Sequence, residues 1–157
     1  MILLDANLLL YAHRDSFAEH KAAKSWLDRT LNAGERVGFS WPTLTAFVRL
    51  VTNPRVFTRP DSIAEAWSAA RAWLSVPGTW IPHTTDTHRE LFEALLTTPG
   101  LHANDVPDVH LAALAMEHGL VLYTVDAGFA RFNGLRWTNP LADAGAGLRK
   151  GKRPGRS

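Results

Sequence analysis

The chain is predicted to fold as an α/β domain in which helices flank a central, mostly parallel sheet. Short apolar runs, among them Met1–Leu4, Val37–Phe39 and Leu120–Thr124, alternate along the chain with longer segments of helical periodicity. Glycine or proline follows most of the helical segments, as expected at helix ends. Strands that alternate with helices are typical of a parallel sheet, because each helix carries the chain back to the starting edge.

The length and composition fit a single folded domain. The 157 residues are 46% apolar and 20% charged, which is typical of a soluble globular protein. The absence of cysteine excludes a disulfide framework, a thiolate metal site and a cysteine nucleophile. We expect neither a signal peptide nor a membrane span, since no apolar run approaches the roughly 18 residues that a span needs. A cytoplasmic protein without membrane association is therefore expected.

The positive charge is concentrated at the C-terminus. The formal net charge is +2, but residues 144–157 hold five basic residues and no acid, and subtracting these leaves residues 1–143 at −3. We therefore predict a folded domain over 1–143 and a basic, disordered tail over 144–157, because the tail has too little apolar surface to fold. The tail could contact nucleic acid without sequence specificity; the alternative is a solvated tail with no specific role.

Three helices are expected before residue 52. The segment 19–33 places its apolar residues on one helical face and is followed by Gly34, a common stop. Pro42 stands where a third helix would begin, a position that tolerates proline. The expected bounds are Asn7–His13, 19–33 and Trp41–Val51.

A fourth helix is expected over residues 61–75, capped by Asp61 or Ser62. Its apolar residues form an amphipathic stripe, so this tryptophan-rich helix is either part of the core or a docking surface for a partner. The stripe consists of Ile63, Trp67, Ala70 and Leu74.

The second half of the chain predicts two more helices and three strands. Thr85 or Asp86 can cap a helix that ends before Pro99-Gly100. The most apolar helix is expected over 105–118, with Gly119 at its end. The strands are expected at Trp80–Ile81, Leu120–Thr124 and Leu135–Trp137.

Four aspartates occupy informative positions in this predicted fold. Asp5 directly follows the first strand, and Asp126 comes two residues after the strand that ends near Thr124. Ligands of parallel sheets bind outside the carboxyl ends of the strands. Asp105 and Asp108 stand three residues apart at the start of the most apolar helix, so they share one face. These acids are therefore expected at one edge of the sheet.

Each of these acids also has a purely structural explanation, as a turn residue, a helix cap or a first-turn charge. Their combination favours a different interpretation. Several carboxylates at one edge repel each other, and cations between them relieve that repulsion. Mg²⁺ and Mn²⁺ prefer oxygen ligands, and such ions can activate water and stabilise the leaving oxygen of a phosphodiester.

At these residues the chain resembles the PIN-domain ribonucleases, in particular the VapC-type toxins of bacterial toxin–antitoxin pairs. The resemblance spans about residues 2–141 and rests on four strings that are weak singly but specific in this order and spacing. The strings are ILLDANLLLYA, SWPTLTAFVRLVTNPRVF, NDVPDVHLAALAMEHG and LYTVDAGFARFNGLRWTNPL.

The resemblance implies a three-layer PIN-like sandwich over residues 1–143 and a Mg²⁺- or Mn²⁺-dependent endoribonuclease that acts as a toxin. It implies an RNA substrate, a VapB-like antitoxin and a homodimer as partners. By position, Asp5, Asp108 and Asp126 would be catalytic acids that bind the metal.

Three further residues are weaker candidates for substrate binding. Asn7 matches the polar residue two positions after the first acid, and Thr124 matches the hydroxyl that accompanies the last acid. Arg49 could support the acidic site or contact phosphate; the alternative is a cation that compensates the dipole at a helix end.

The chain departs from the family pattern in the middle helix, where many members carry a glutamate. The corresponding residue is Ala46, which cannot bind a metal. Either the site works with fewer acids or Asp105 compensates as a fourth catalytic acid. A catalytically weakened PIN-fold module that binds RNA or a protein partner is therefore the alternative function.

Phosphoryl-chemistry domains of the dehalogenase or receiver type also carry an aspartate after the first strand. Dehalogenases need a second aspartate two residues later, where this chain has Asn7, and receivers need a late lysine that residues 119–143 lack. No metal-binding histidine spacing such as H-E-x-x-H is present, so the seven histidines are interpreted as surface or packing residues. Most of the six tryptophans are interpreted as core rather than as base-stacking residues.

Overall fold

A computed structural model describes residues 1–142 of the chain. Its five strands form one parallel sheet in the order β3-β2-β1-β4-β5, which confirms the parallel α/β prediction. The predicted tail, 144–157, lies outside the described residues. The strands are β1 (Ile2–Leu4), β2 (Val37–Gly38), β3 (Thr79–Trp80), β4 (Val121–Tyr123) and β5 (Trp137–Thr138).

Within residues 1–142, six α-helices connect and cover the strands, close to the predicted bounds. A 3₁₀ turn at Ala103–Asp105 leads into the last helix, and another follows β4 at Ala127–Arg131. In the described part of the chain no helix is long and apolar enough to cross a membrane. The helices are α1 (Ala6–His13), α2 (His20–Asn32), α3 (Trp41–Val51), α4 (Ile63–Leu74), α5 (His88–Leu96) and α6 (Val106–Glu117).

The central strand β1 divides the core into two layers because its side chains alternate between the faces of the sheet. Ile2 and Leu4 join a cluster formed with α1 to α4, and Leu3 joins a second cluster formed with α5 and α6. All three side chains are almost fully buried. Burying each of them stabilises the fold by roughly 1.5–3 kcal/mol, so β1 is anchored from both sides.

The predicted stripe of α4 is only partly buried. The buried residues of α4 are Ala70 and Ala66, of which Ala66 is not part of the stripe, whereas Ile63 is 65% exposed and Trp67 is 37% exposed. The small alanines let α4 pack closely on the core, and the bulky residues remain beside the contact. Ser62 caps the helix through a reciprocal pair of hydrogen bonds with Glu65, so Ser62 rather than Asp61 is the cap.

A buried carboxylate joins α5 to α6. The Glu117 side chain is fully buried and accepts hydrogen bonds from the Thr85 backbone N–H at 2.9 Å, the Thr85 hydroxyl at 2.7 Å and His88 Nδ1 at 2.8 Å. The other ring nitrogen of His88, Nε2, lies 3.0 Å from His110 Nδ1. Burial raises the pKa of Glu117, but the hydrogen bonds from Thr85 and His88 outweigh it, and the net shift is downward.

We predict that Glu117→Gln lowers the free energy of unfolding at pH 7 by about 2 kcal/mol, because the amide nitrogen cannot accept one set of these hydrogen bonds. Urea denaturation followed by circular dichroism measures the loss. Because the folded pKa is lowered, the wild-type advantage is present above the unfolded pKa of about 4.3 and disappears as the pH falls through the folded value. Glu90→Gln, at an exposed position of α5, is the matched control; an equal loss in both variants would contradict the prediction.

Candidate active site

The Thr124 hydroxyl connects the segments that meet at the carboxyl edge of the sheet. It is fully buried and donates a hydrogen bond to Asp5 Oδ2 at 2.7 Å. It accepts hydrogen bonds from Asn7 Nδ2 at 3.2 Å and from the Asp126 backbone N–H at 3.0 Å. A hydroxyl offers one donor and two acceptor sites, so all of its capacity is used inside the protein. Thr124 therefore positions the acids and has no free site for a substrate.

Asp5 is held at the junction of β1 and α1. The register pairs Leu4 with Tyr123, and the Asp5 backbone N–H donates to the Tyr123 carbonyl at 3.1 Å. Asp5 Oδ1 caps α1 by accepting from the Ala6 N–H at 2.7 Å. Burial raises the pKa of Asp5 against the hydrogen bonds from Thr124 and Ala6, and the charge of Asp126 raises it further. The Asp5 carboxylate is therefore rigidly placed and disfavoured as an anion.

Asp126 lies beyond β4 as expected and begins the following 3₁₀ turn. Its Oδ1 accepts from the Gly128 N–H at 2.7 Å, and the residue is exposed. Gly128 leaves space here for the side chains of Asp126 and Arg131. A Cβ atom at this position would lie 2.9 Å from Asp126 Oδ1 and 3.3 Å from Arg131 Nη2.

Asp108 lies in the first turn of α6 and faces the other acids. Burial, followed by the charges of Asp5 and Asp126, raises the pKa of its carboxyl to about 6. Arg131 opposes the shift, with Nη2 3.6 Å from Asp108 Oδ2. The structure thus brings Asp5, Asp108 and Asp126 close enough to repel one another electrostatically.

Asp105 lies beside this group, and both of its oxygens are engaged. Oδ2 accepts from the His102 backbone N–H at 2.8 Å, and Oδ1 accepts from Arg131 Nη2 at 3.0 Å. The hydrogen bond from His102 is the largest cause of its lowered pKa, with Arg131 contributing further. Arg131 carries no assignment from the sequence, although its cation stands five residues after Asp126 in an otherwise acidic neighbourhood.

The remaining predicted residues are placed unequally. Asn7 lies in the first turn of α1 at the acid cluster, and its buried Oδ1 atom has no hydrogen-bond partner. Arg49 is exposed on α3, where it lines an apolar groove with Trp41 and Trp67. Within residues 1–142 it forms no hydrogen bond or ion pair with the four acids. Ala46 is half-buried on α3, one turn after Thr43, whose hydroxyl donates to the Leu4 carbonyl at 3.0 Å.

The donor set fits a divalent ion chemically. It consists of carboxylate oxygens that repel one another and the unpartnered Asn7 Oδ1, and Mg²⁺ and Mn²⁺ prefer such ligands. Within the described range 1–142, however, no three acidic or histidine side chains are already arranged around one point.

Comparison with known proteins gives this site its context. The family model for the PIN domain matches residues 2–135, so the chain belongs to the PIN-domain family. Within it, the chain is 42% identical to Ribonuclease VapC37 of Mycobacterium tuberculosis over 142 residues, covering 90% of this chain and 99% of that protein. It is 40% identical to Ribonuclease VapC43 of the same species, covering 90% and 96%. The chain is therefore a member of the VapC ribonuclease family.

Solved structures support the fold. The crystal structure of VapBC2 from Rickettsia felis, bound to a DNA fragment from its promoter, superposes with a TM-score of 0.64 at 19% identity. The match covers 88% of this chain and 98% of that chain. The predicted family and the predicted PIN-like α/β fold are both confirmed, and the dehalogenase and receiver alternatives are set aside.

We predict that Asp108→Asn stabilises the metal-free protein at pH 7.5, raising the unfolding midpoint by roughly 2–4 °C. A pKa raised to about 6 means that the ionised carboxyl destabilises the folded state above that pH, and the amide removes the charge. The same variant should lose most of the increase in midpoint that Mn²⁺ produces in the wild type. Differential scanning fluorimetry with and without Mn²⁺ measures both effects.

Because the pKa of Asp108 is raised, we also predict that the unfolding midpoint of the metal-free wild type increases as the pH falls from 7.5 to 5.5. The midpoint of Asp108→Asn should change less over the same range. Asp86→Asn, at an exposed position before α5, is the control and should match the wild type. A lower metal-free midpoint in Asp108→Asn than in the control variant would contradict the assignment of this acid.

Proposed function

We propose that the chain is the toxin of a toxin–antitoxin pair, an endoribonuclease that depends on Mg²⁺ or Mn²⁺ and hydrolyses RNA phosphodiester bonds. The observation that supports this most is the meeting of Asp5, Asp108 and Asp126 at the carboxyl edge of the sheet in a member of the VapC ribonuclease family. The names of the relatives indicate the substrate class, and the carboxylates indicate the type of chemistry. A cytoplasmic location remains part of this proposal.

In the proposed mechanism, Asp5, Asp108 and Asp126 would hold the metal. One or two bound ions would lower the pKa of a water molecule and polarise the scissile phosphate. Water would attack phosphorus, the bond to the 3′ oxygen would break and one water proton would pass to that oxygen, giving a 5′-phosphate and a 3′-hydroxyl. Thr124 and the Ala6 N–H restrain the Asp5 carboxylate, which reduces the reorganisation needed during the reaction.

The decisive experiment is cleavage of total RNA by the purified protein with Mn²⁺ or Mg²⁺. We expect cleavage that EDTA stops and that Asp5→Asn or Asp126→Asn reduces by at least 100-fold, because each change removes a charged metal ligand. Asp86→Asn should leave the rate unchanged. Sequencing of the product ends identifies the preferred site.

Ala46 favours a second candidate, a weakened module that binds RNA or a partner without cutting. RNA binding by a folded protein that shows no metal-dependent cleavage would replace the proposed activity with that one.

A VapB-like antitoxin and a second copy of the chain are the proposed protein partners, following the VapBC complex among the structural neighbours. We place antitoxin docking at an exposed apolar patch formed by Trp41, Ile63 and Trp67. Trp41 is 47% exposed, and its ring stacks on that of Trp67 with centroids 6.3 Å apart. Contiguous exposed apolar surface of this kind marks interaction sites in soluble proteins.

Ile63→Asp should weaken antitoxin binding by more than tenfold while changing the free energy of unfolding by less than about 0.5 kcal/mol, because Ile63 is already 65% exposed. Isothermal titration calorimetry with the purified antitoxin measures the affinity, and Val56→Asp, also at an exposed apolar position, is the control. Light scattering reports the oligomeric state. A monomeric variant with unchanged antitoxin affinity would assign the patch to the homodimer instead.

A further inference from the structure

A guanidinium group stands among the acids of the candidate site. Arg131 Nη2 donates to Asp105 Oδ1 at 3.0 Å and lies 3.6 Å from Asp108 Oδ2. The same nitrogen and Asp126 Oδ1 lie 3.3 and 2.9 Å from the point that a Cβ on Gly128 would occupy. One cation therefore borders Asp105 and Asp108, and it lies on the same side of Gly128 as Asp126 Oδ1.

Asp105 and Asp108 differ in the number of hydrogen bonds that their carboxylates accept. Asp105 uses both oxygens, one on the His102 N–H and one on Arg131, and burial leaves its side chain 18% exposed. Asp108 accepts no hydrogen bond in the described part of the chain. Its ion pair is with Arg131, whose Nη2 lies 3.6 Å from Asp108 Oδ2. Asp105 is therefore tied to Arg131, whereas the oxygens of Asp108 are available for a ligand.

Arg131 has unused hydrogen-bonding capacity beside Asp105 and Asp108. A guanidinium carries five N–H donors, and the hydrogen bond to Asp105 uses one of them. The Nε atom is buried without a partner, the group lies 5.3 Å from the centre of the Phe132 ring, and the side chain is 28% exposed. The buried Nε cannot reach a ligand, but the remaining N–H groups of the two Nη atoms suit the tetrahedral oxygens of a phosphate, which arginine binds in bidentate fashion.

We infer that Arg131 binds a backbone phosphate of the RNA at the acid cluster and that Asp105 is a positioning residue that anchors Arg131 rather than a metal ligand. This inference rests on the proposed ribonuclease function. It addresses an electrostatic problem, because residues 1–143 carry a net charge of −3 and an RNA phosphate must approach a group of carboxylates. A fixed cation among those carboxylates offsets that repulsion.

The first test measures RNA binding without turnover, in an Asp5→Asn background that blocks cleavage. A fluorescent single-stranded RNA of mixed sequence is titrated by anisotropy in Mn²⁺ at several salt concentrations. Adding Arg131→Gln should weaken binding about tenfold and reduce the slope of log K against log salt by about 0.7, the value for one phosphate contact on a single strand. Arg131→Lys should recover part of the affinity. Arg71→Gln, at an exposed position on α4, should change neither quantity.

The second test measures Mn²⁺ binding alone by calorimetry. Asp108→Asn should weaken Mn²⁺ binding more than tenfold, whereas Asp105→Asn should stay within about threefold of the wild type. Arg131→Gln should bind Mn²⁺ as tightly as the wild type or more tightly, because a competing cation is gone. If Arg131 were needed only for folding, its substitution would weaken Mn²⁺ binding and RNA binding together.

A double-mutant cycle tests whether Asp105 acts through Arg131. Asp105→Asn should reproduce most of the RNA-binding defect of Arg131→Gln, and the double variant should bind RNA no more weakly than Arg131→Gln alone. Additive defects would show independent roles and overturn the anchoring assignment. Circular dichroism and the unfolding midpoint confirm that each variant is folded.

Two results would overturn the inference outright. One is unchanged RNA affinity and salt slope in Arg131→Gln; the other is a loss of Mn²⁺ affinity in Asp105→Asn as large as that in Asp108→Asn, which would make Asp105 a ligand. Failure of the proposed function is separate, because it is seen in the wild type as absent metal-dependent cleavage. The binding measurements do not depend on turnover.

Discussion

The single hydroxyl of Thr124 organises the carboxyl edge of the sheet. It donates a hydrogen bond to Asp5 and accepts hydrogen bonds from the Asn7 side chain and from the backbone N–H of Asp126. These partners come from the junction of β1 and α1, from the first turn of α1 and from the turn after β4, so one buried atom links three segments. Because the carboxylates repel each other, these hydrogen bonds and the backbone pairing of β1 with β4 are needed to hold that spacing. The chemistry of the site is thus inseparable from the pairing of β1 with β4.

Charge balance is the second constraint on the site. Asp108 has a raised pKa and Asp5 is nearly buried, so the folded protein holds anions where their ionisation is disfavoured. Such sites are typical of functional centres, where stability is sacrificed for reactivity. Arg131 partly compensates this negative charge, because its guanidinium lies next to Asp105 and Asp108.

The sequence predicted the fold and the meeting of the acids because both follow from local patterns and one topological rule. Strand ends and helix starts place Asp5, Asp108 and Asp126 at the same edge of a parallel sheet without knowledge of any long-range distance. The pairing of Arg131 with Asp105 could not be predicted, since it depends on the direction of a side chain across 26 residues. The exposure of Ile63 was missed for a related reason: helical periodicity defines a stripe, but alanines at 66 and 70 determine which edge of it is buried.

The contact between Asp5 and Thr124 spans 119 positions of the chain. Loop closure over such a separation delays folding relative to local contacts. During synthesis the first strand leaves the ribosome long before β4 exists, so its carboxylate has no hydroxyl to bind and no neighbouring acids. The acid cluster cannot assemble on a nascent chain that ends before residue 126. The nascent polypeptide therefore lacks the assembled site until residue 126 has been added, and the pairing of β1 with β4 sets that delay.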